Sequence, residues 1–333
     1  MITIKDVAKE AGVSIATVSH VINSTRYVSD ELSKKVHLAI EKLSYHPNDI
    51  ARSLKKKKTY TIGMIMPDNS NPFFAEVALG IEMKSFDLSY NVIFCNTNRN
   101  VQKESTYLDL LLKKRVDGIV FVSSGININS VKFIKSQKIP IIVVDREIKR
   151  LKVDSVLVDN LSGGYQATKH LLNLGHKRIA CISGPSLITP SSERIEGYKK
   201  ALMEASLEID EKLILMGDFQ FEGGYKYAKK LLRMKRIPTA IFACNDLMAI
   251  GAICAIKEEG LSVPKDISVV GFDDIALASF CDPKLTTVIQ PKYIMGKLAA
   301  NMLIERIRNK EMEPRRKLLK TELIIRESTI RKE

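Results

Sequence analysis

Ile4-Lys5-Asp6-Val7-Ala8-Lys9-Glu10-Ala11-Gly12-Val13-Ser14-Ile15-Ala16-Thr17-Val18-Ser19-His20-Val21-Ile22-Asn23 reads as two short helices around one tight turn. Thr3 caps the first, and Ile4, Val7 and Ala8 recur on one face. Ala8 is small enough to let a second helix come close, and Gly12 supplies a turn conformation that a side chain resists. Ser14 then caps a helix with apolar Val18, Val21 and Ile22, and with Thr17, Ser19 and His20 on the opposite face. Such a helix-turn-helix suits duplex DNA: the start of the second helix enters the major groove while the first crosses the phosphates. Arg26, just beyond, can reach a guanine edge bidentately. The ordinary alternative is a helical hairpin with a solvated polar face, since short motifs often match by chance.

Outward from this stretch, Ser29-Asp30-Glu31 opens a third helix with Val36, Ile40 and Leu43 inward, which completes a head over residues 1–46. Residues 47–59 read as a hinge and linker: Pro47 breaks the chain, Asn48 caps a short helix over 49–54, and a lysine run follows at 55–58. A helix this short is marginal in water on its own.

The chain has 333 residues, 45% of them hydrophobic, and a formal net charge of +14. That length predicts two or three domains, and the charge points to a polyanionic partner, nucleic acid first and an acidic membrane surface second. A genome that favours lysine gives the same balance. The five cysteines, Cys95, Cys181, Cys244, Cys254 and Cys281, are widely spaced with no C-x-x-C, and read as buried thiols of a reducing cytoplasm. No run approaches about 20 apolar residues, and the first residues lack an apolar signal core, so neither a membrane span nor secretion is expected. No metal site or cofactor is expected either.

From Thr61 short apolar runs alternate with amphipathic stretches. Strands are expected at 62–66, 92–95, 118–122, 139–144, 155–158, 178–182, 240–244 and 267–271, with a helix over 73–89. This alternation predicts parallel sheets with helices on both faces, and there are enough strands for two similar lobes. The closest thing to an internal repeat is Ser162-Gly163-Gly164-Tyr165 against Glu222-Gly223-Gly224-Tyr225. The polar and aromatic residues gather at the expected strand ends: Asn71, Phe73 and Phe74, Asp145 and Arg146, Asn245 and Asp273, with Phe219 after the run 214–218, Arg194 at the start of the helix after Ser183-Gly184-Pro185, and Gln290 before Pro291. Ligands of open α/β sheets bind there. Aromatic rings cover the C–H faces of a sugar, while carboxylates, guanidinium groups and amides pair with its hydroxyls. Singly, each has a structural reading: Phe73 and Phe74 as core, Asp246 as a helix cap, Asp274 as a neighbour's partner.

The chain resembles the lactose-repressor (LacI/GalR) family of bacterial regulators from end to end. IKDVAKEAGVS-IATVSHVIN, AIEKLSYHPNDIARSLK, GHKRIACISGP, PTAIFACNDLMAIGA, VPKDISVVGFDDI and LTTVIQP follow its pattern in order. The resemblance implies an all-α helix-turn-helix head plus an α/β core of two doubly wound parallel-sheet lobes, similar to periplasmic binding proteins. The implied core is residues 60–333, with one lobe about 60–159 and 292–320 and the other about 160–291 and 321–333. It places Ile15, Ala16, Thr17 and His20 where the family reads bases, with Thr3, Ser14, Ser19, Arg26 and Lys55 also against DNA. Many members are polar at 15 and 16, so the operator sequence stays open. It implies that Leu54 wedges into a central base step of the minor groove when two hinges pair. Without the resemblance, Leu54 reads as an ordinary core leucine.

The expected function is a cytoplasmic, homodimeric repressor of a palindromic operator, with no appended heptad repeat for a tetramer. A small sugar is expected to release it. The pocket positions resemble ribose-binding members most, so ribose is the first reading. Purine-binding members share the aromatic pair, Arg194, Phe219 and Asp273, so a purine- or phosphocarrier-responsive repressor is the alternative. An enzyme is not expected: G-x-x-x-x-G-K-[ST], G-x-S-x-G, H-E-x-x-H and G-x-G-x-x-G are all absent. A sugar-binding transport receptor is disfavoured by the head.

Overall fold

The structure, a computed structural model, describes residues 2–23, 25–45, 58–122, 132–134, 136–147, 152–185 and 188–332. The expected hinge helix, with Leu54 and Lys55, lies outside the described residues. The chain divides into two compact units, Met1–Thr59 and Tyr60–Glu333.

The first unit holds α1 (Ile4–Ala11), α2 (Ile15–Asn23) and α3 (Asp30–Lys42) around Val7, Ala8, Val18, Val36 and Ala39. The Asp6 carboxylate accepts from both the backbone N–H and the hydroxyl of Thr3, each at 2.8 Å, which matches two donors that the helix start leaves over. Gly12 ends α1 in the left-handed region at φ 65°, and its N–H reaches the Ala8 and Lys9 carbonyls. Ser14 Oγ accepts from Thr17 N at 3.0 Å and so caps α2. Ser29 occupies the cap position of α3, but its side chain makes no cap bond.

The second unit runs β1 (Thr61–Met66), α4 (Pro72–Asp87), β2 (Asn91–Asn96), α5 (Val101–Lys113), β3 (Gly118–Phe121), β4 (Ile141–Val144) and β5 (Asp154–Val158). It continues with α6 (Asn160–Asn173), β6 (Ile179–Ser183), α7 (Thr189–Glu204), β7 (Ile214–Met216), α8 (Phe221–Leu232), β8 (Ala240–Ala243), α9 (Asp246–Glu258) and β9 (Ser268–Asp273). It closes with β10 (Thr286–Ile289), α10 (Lys292–Arg308), β11 (Arg316–Leu319) and β12 (Glu322–Ile324).

Two six-stranded sheets result, ordered β11-β5-β4-β3-β1-β2 and β12-β10-β9-β8-β6-β7. Every pairing is parallel except β10 with β12. β3, β4, β5, β6 and β8 are buried at every position, as strands covered on both faces must be. The chain crosses between the sheets after β5, after β10 and after β11.

The two Gly-Gly-Tyr segments prove to be one device used twice. A Cβ on Gly164 of α6 would collide with the Arg194 backbone of α7, and one on Gly224 of α8 would collide with Met248 of α9. Tyr165 then donates to Glu204 at the end of α7, and Tyr225 to Glu258 at the end of α9. The thiols need one correction. Cys95, Cys181 and Cys244 are buried, but Cys281 is half-buried and Cys254 is exposed. Cys254 lies on the outer face of α9, beside fully buried neighbours that made the run look interior. No helix among the described residues is long and apolar enough to cross a membrane.

Candidate functional site

On the head, Ile15 and Ala16 are exposed at the start of α2, with Thr17, Ser19 and His20 half-buried along it. This combination follows from the capping: Ser14 spends its hydroxyl on Thr17 and turns the first helical residues outward. His20 Nδ1 lies 2.8 Å from Thr25 Oγ1, and Ser19's carbonyl accepts from Asn23 at 2.8 Å. Arg26 is exposed. Thr3 and Ser14 therefore carry capping bonds in addition to any contact they make with a partner.

In the second unit all ten expected ligand residues line one cavity of about 320 Å³. Its size sits at the lower end for small-molecule sites. Asn71, Phe73, Phe74, Asp145 and Arg146 come from the first lobe and Arg194, Phe219, Asn245 and Asp273 from the second, while Gln290 sits at a crossing. They meet because β1, β4, β7, β8, β9 and β10 all end here. Arg194 alone is displaced from the expectation: it is in the second turn of α7, not at its start.

Two oppositely charged pairs face the cavity. Arg146 Nε lies 3.5 Å from Asp145 Oδ2, and Arg194 lies 3.6 Å from Asp273 Oδ1. All four side chains are buried. Arg194 is fixed from behind by Asn160 Oδ1 at 2.9 Å and the Cys244 carbonyl, with its guanidinium 3.7 Å over the Phe272 ring. Burial raises the Asp145 carboxyl above its ordinary range, against the pull of Arg146 and Arg194. Burial likewise raises Asp273 to about 6, opposed by Arg194, Lys292 and Gln290. Burial lowers Arg146 from the usual guanidinium value, against the Asp145 and Glu104 charges.

Gln290 donates to Asp273 Oδ1 at 2.6 Å, and its own Oε1 is buried with no donor among the described residues. A buried acceptor in that state suits a ligand hydroxyl or N–H. Phe73 and Phe74 stand edge to face at 5.0 Å and belong both to the core and to the cavity wall. Asn71 and Asn245 also serve twice, because each caps its helix, accepting from Phe73 N and Met248 N at 3.0 Å. Asp246, the expected cap, instead accepts from Ile275 N and Thr287 Oγ1. Asp145, Phe219 and Asp273 hold left-handed backbone at φ 68°, 66° and 116°. Such strain costs about 1–3 kcal/mol per residue and concentrates at functional sites.

Sequence reasoning left out the cavity's rim. Asp68, Arg99, Asp218 and Gln220 also line it, and Gln220 reaches Asp68 across the lobes at 3.4 Å. The rule of strand ends would have found them, since they follow β1, β2 and β7. Among the described residues no cluster of His, Cys, Asp or Glu could hold a metal ion.

Residues 3–48 match the family of bacterial regulatory proteins, lacI family, and residues 59–327 match periplasmic binding proteins and sugar binding domain of LacI family. The chain belongs to the LacI family. It is a DNA-binding transcriptional repressor and not an enzyme. It is 43% identical to the HTH-type transcriptional repressor PurR of Actinobacillus pleuropneumoniae, over 98% of each chain. A lac repressor dimer bound to operator and the anti-inducer ONPF superposes with a TM-score of 0.90, at 28% identity over 99% of each chain. A LacI family regulator from Enterococcus faecium with bound ribose is 34% identical, covering 82% of this chain and all of that one, with a TM-score of 0.75. These curated relatives are PurR repressors and not ribose repressors, which corrects the ribose-repressor resemblance expected from the sequence.

Proposed function

We propose that this repressor grips a palindromic operator as a homodimer and releases it when a pentose, ribose first, fills the cavity. The observation that carries the ligand is the pair of buried carboxylate–guanidinium contacts in the cavity wall, Asp145–Arg146 and Arg194–Asp273, at 3.5 and 3.6 Å. A hydroxyl both donates and accepts, so it can give to the carboxylate of a pair and take from its guanidinium. A pentose presents several such groups on a compact ring, with C–H faces for Phe73, Phe74 and Phe219. The Gln290 acceptor takes another hydroxyl.

The purine reading has its own support in the names of the relatives, which favour it over ribose. The aromatic walls also suit a flat base. Titration calorimetry of the full chain with ribose, other pentoses, hypoxanthine and adenine separates the two. Heat with ribose at micromolar concentrations, and none with the bases, supports the pentose. The reverse replaces it with the purine.

Dimerisation has support on the surface. Leu79, Met83 and Phe86 of α4 are exposed at helical spacing, and Leu277 and Phe280 are exposed on the other lobe. Apolar stripes of this kind mark contact surfaces. In the repressor, ligand must favour one dimer geometry over another to change operator affinity. Closure of the two lobes on a pentose supplies that preference.

A further inference from the structure

Lys292 is the first residue of α10, directly after the Gln290-Pro291 crossing. It reads in the sequence as one more surface lysine of a basic chain, yet it is 4% exposed. A buried ammonium must match its three N–H donors. Nζ donates to the backbone carbonyls of Asp273 and Asp274, at 2.7 Å each. It also pairs with Glu76 Oε2 of α4 at 3.7 Å.

The two carbonyls belong to the corner from which Asp273 enters the cavity. Asp273 and Asp274 are consecutive left-handed residues, at φ 116° and 53°. Two adjacent residues in that region hold only if their surroundings over-determine them. Lys292 matches both carbonyls, while Gln290 and Arg326 hold the two carboxylates at 2.6 Å. The backbone of Lys292, in contrast, belongs to the other lobe. A Cβ on Gly296 of α10 would collide with the Val77 carbonyl of α4, and one on Gly80 of α4 with Tyr293 of α10, so the two helices meet backbone to backbone. α4 is also the helix that presents Phe73 and Phe74 to the cavity.

We infer that Lys292 is a positioning residue for the ligand response: it holds the Asp273 corner in shape and, with Glu76, ties that corner to the α4–α10 pair of the opposite lobe. The inference rests on the cavity's being the ligand site. A ligand that draws on Asp273 then acts on the first lobe through one buried cation.

The test uses the full chain and the variants Lys292→Met, Lys292→Arg and Glu76→Gln. Its first readout needs no ligand: hydrogen–deuterium exchange in residues 271–276 and 72–81. Lys292→Met is expected to raise exchange in both segments while leaving residues 4–42 unchanged. The second readout titrates ribose and hypoxanthine. Whichever binds the wild type is expected to bind Lys292→Met about tenfold more weakly or worse, as for a lost buried charge-assisted contact, with partial rescue by Lys292→Arg. Glu76→Gln, altered at a side chain 40% exposed, is expected to fold and bind ligand but to show a smaller ligand-dependent change in operator affinity. Unchanged exchange at 72–81 in Lys292→Met overturns the inference. So does a full ligand-dependent shift in Glu76→Gln, which decides if Lys292→Met fails to fold. If neither probe binds the wild type, the ligand reading falls and the exchange result still decides the role of Lys292.

Discussion

Arg194 and Asp273 face each other at 3.6 Å in the cavity wall, both buried, each reached from a different element of the second lobe. Removing one partner strands the other's charge, which typically costs about 3–5 kcal/mol. Arg194→Met is therefore expected to lower the urea midpoint sharply. Arg194→Met with Asp273→Asn is expected to lose less than the sum of the two single changes. Strict additivity in that double-mutant cycle contradicts the pairing.

Ligand affinity is expected to depend on pH through Asp273. Burial raises its carboxyl from an ordinary value of 3.8 to about 6. A sugar hydroxyl donates best to the ionised form. Affinity should therefore be highest above pH 6 and about tenfold weaker at pH 5, where only about a tenth of the carboxyl is ionised. Stability runs the opposite way. The folded state holds this proton more tightly than the unfolded chain, so the contribution is full below 3.8 and is lost as pH rises through about 6. Calorimetry at pH 5 and 7.5 checks the first expectation, and Asp273→Asn should flatten the profile.

On the head, His20 is expected to read sequence and not merely to support the helix. One ring nitrogen is engaged with Thr25 at 2.8 Å, and the other is the one expected to meet a base edge. His20→Ala should relax discrimination at one operator base pair by about 1–3 kcal/mol and leave the salt slope unchanged. A uniform loss across operator variants, with a shallower slope, would assign it to phosphate instead. Selection from a library of randomised operators reads the difference.

The dimer surface gives a further expectation. Leu79 and Met83 are 53% and 44% exposed on one face of α4. Leu79→Glu with Met83→Glu should shift the chain toward monomer in sedimentation, and weaken operator binding without lowering the affinity for ligand. Unchanged sedimentation at micromolar concentration would locate the interface elsewhere.

Much of this molecule was legible because its logic is local. The Gly12 turn, the Ser14 cap and the apolar spacing of Val7, Val18 and Val36 mark the head. Buried parallel strands are continuous apolar runs, so β1, β3, β4, β6 and β8 stand out, and the cavity residues follow from their ends. β11 and β12 did not stand out. They are edge strands of four and three residues with no buried position, and their strand character comes from partners distant in sequence. Lys292 was illegible for the same reason: the carbonyls that receive it are set by a corner near Asp273. The double service of Asn71 and Asn245 required coordinates, because a cap and a cavity residue look alike in sequence.

The coupling of cavity to operator is tested most directly by fluorescence anisotropy of a labelled palindromic operator, selected with the full chain at moderate salt. Ribose is titrated in one arm and hypoxanthine in the other. The account predicts tight binding without ligand and a rightward shift of at least about tenfold, about 1.4 kcal/mol, with saturating ribose. An unshifted or tightened curve with ribose would contradict it, and a shift with hypoxanthine alone would move the repressor to the purine reading.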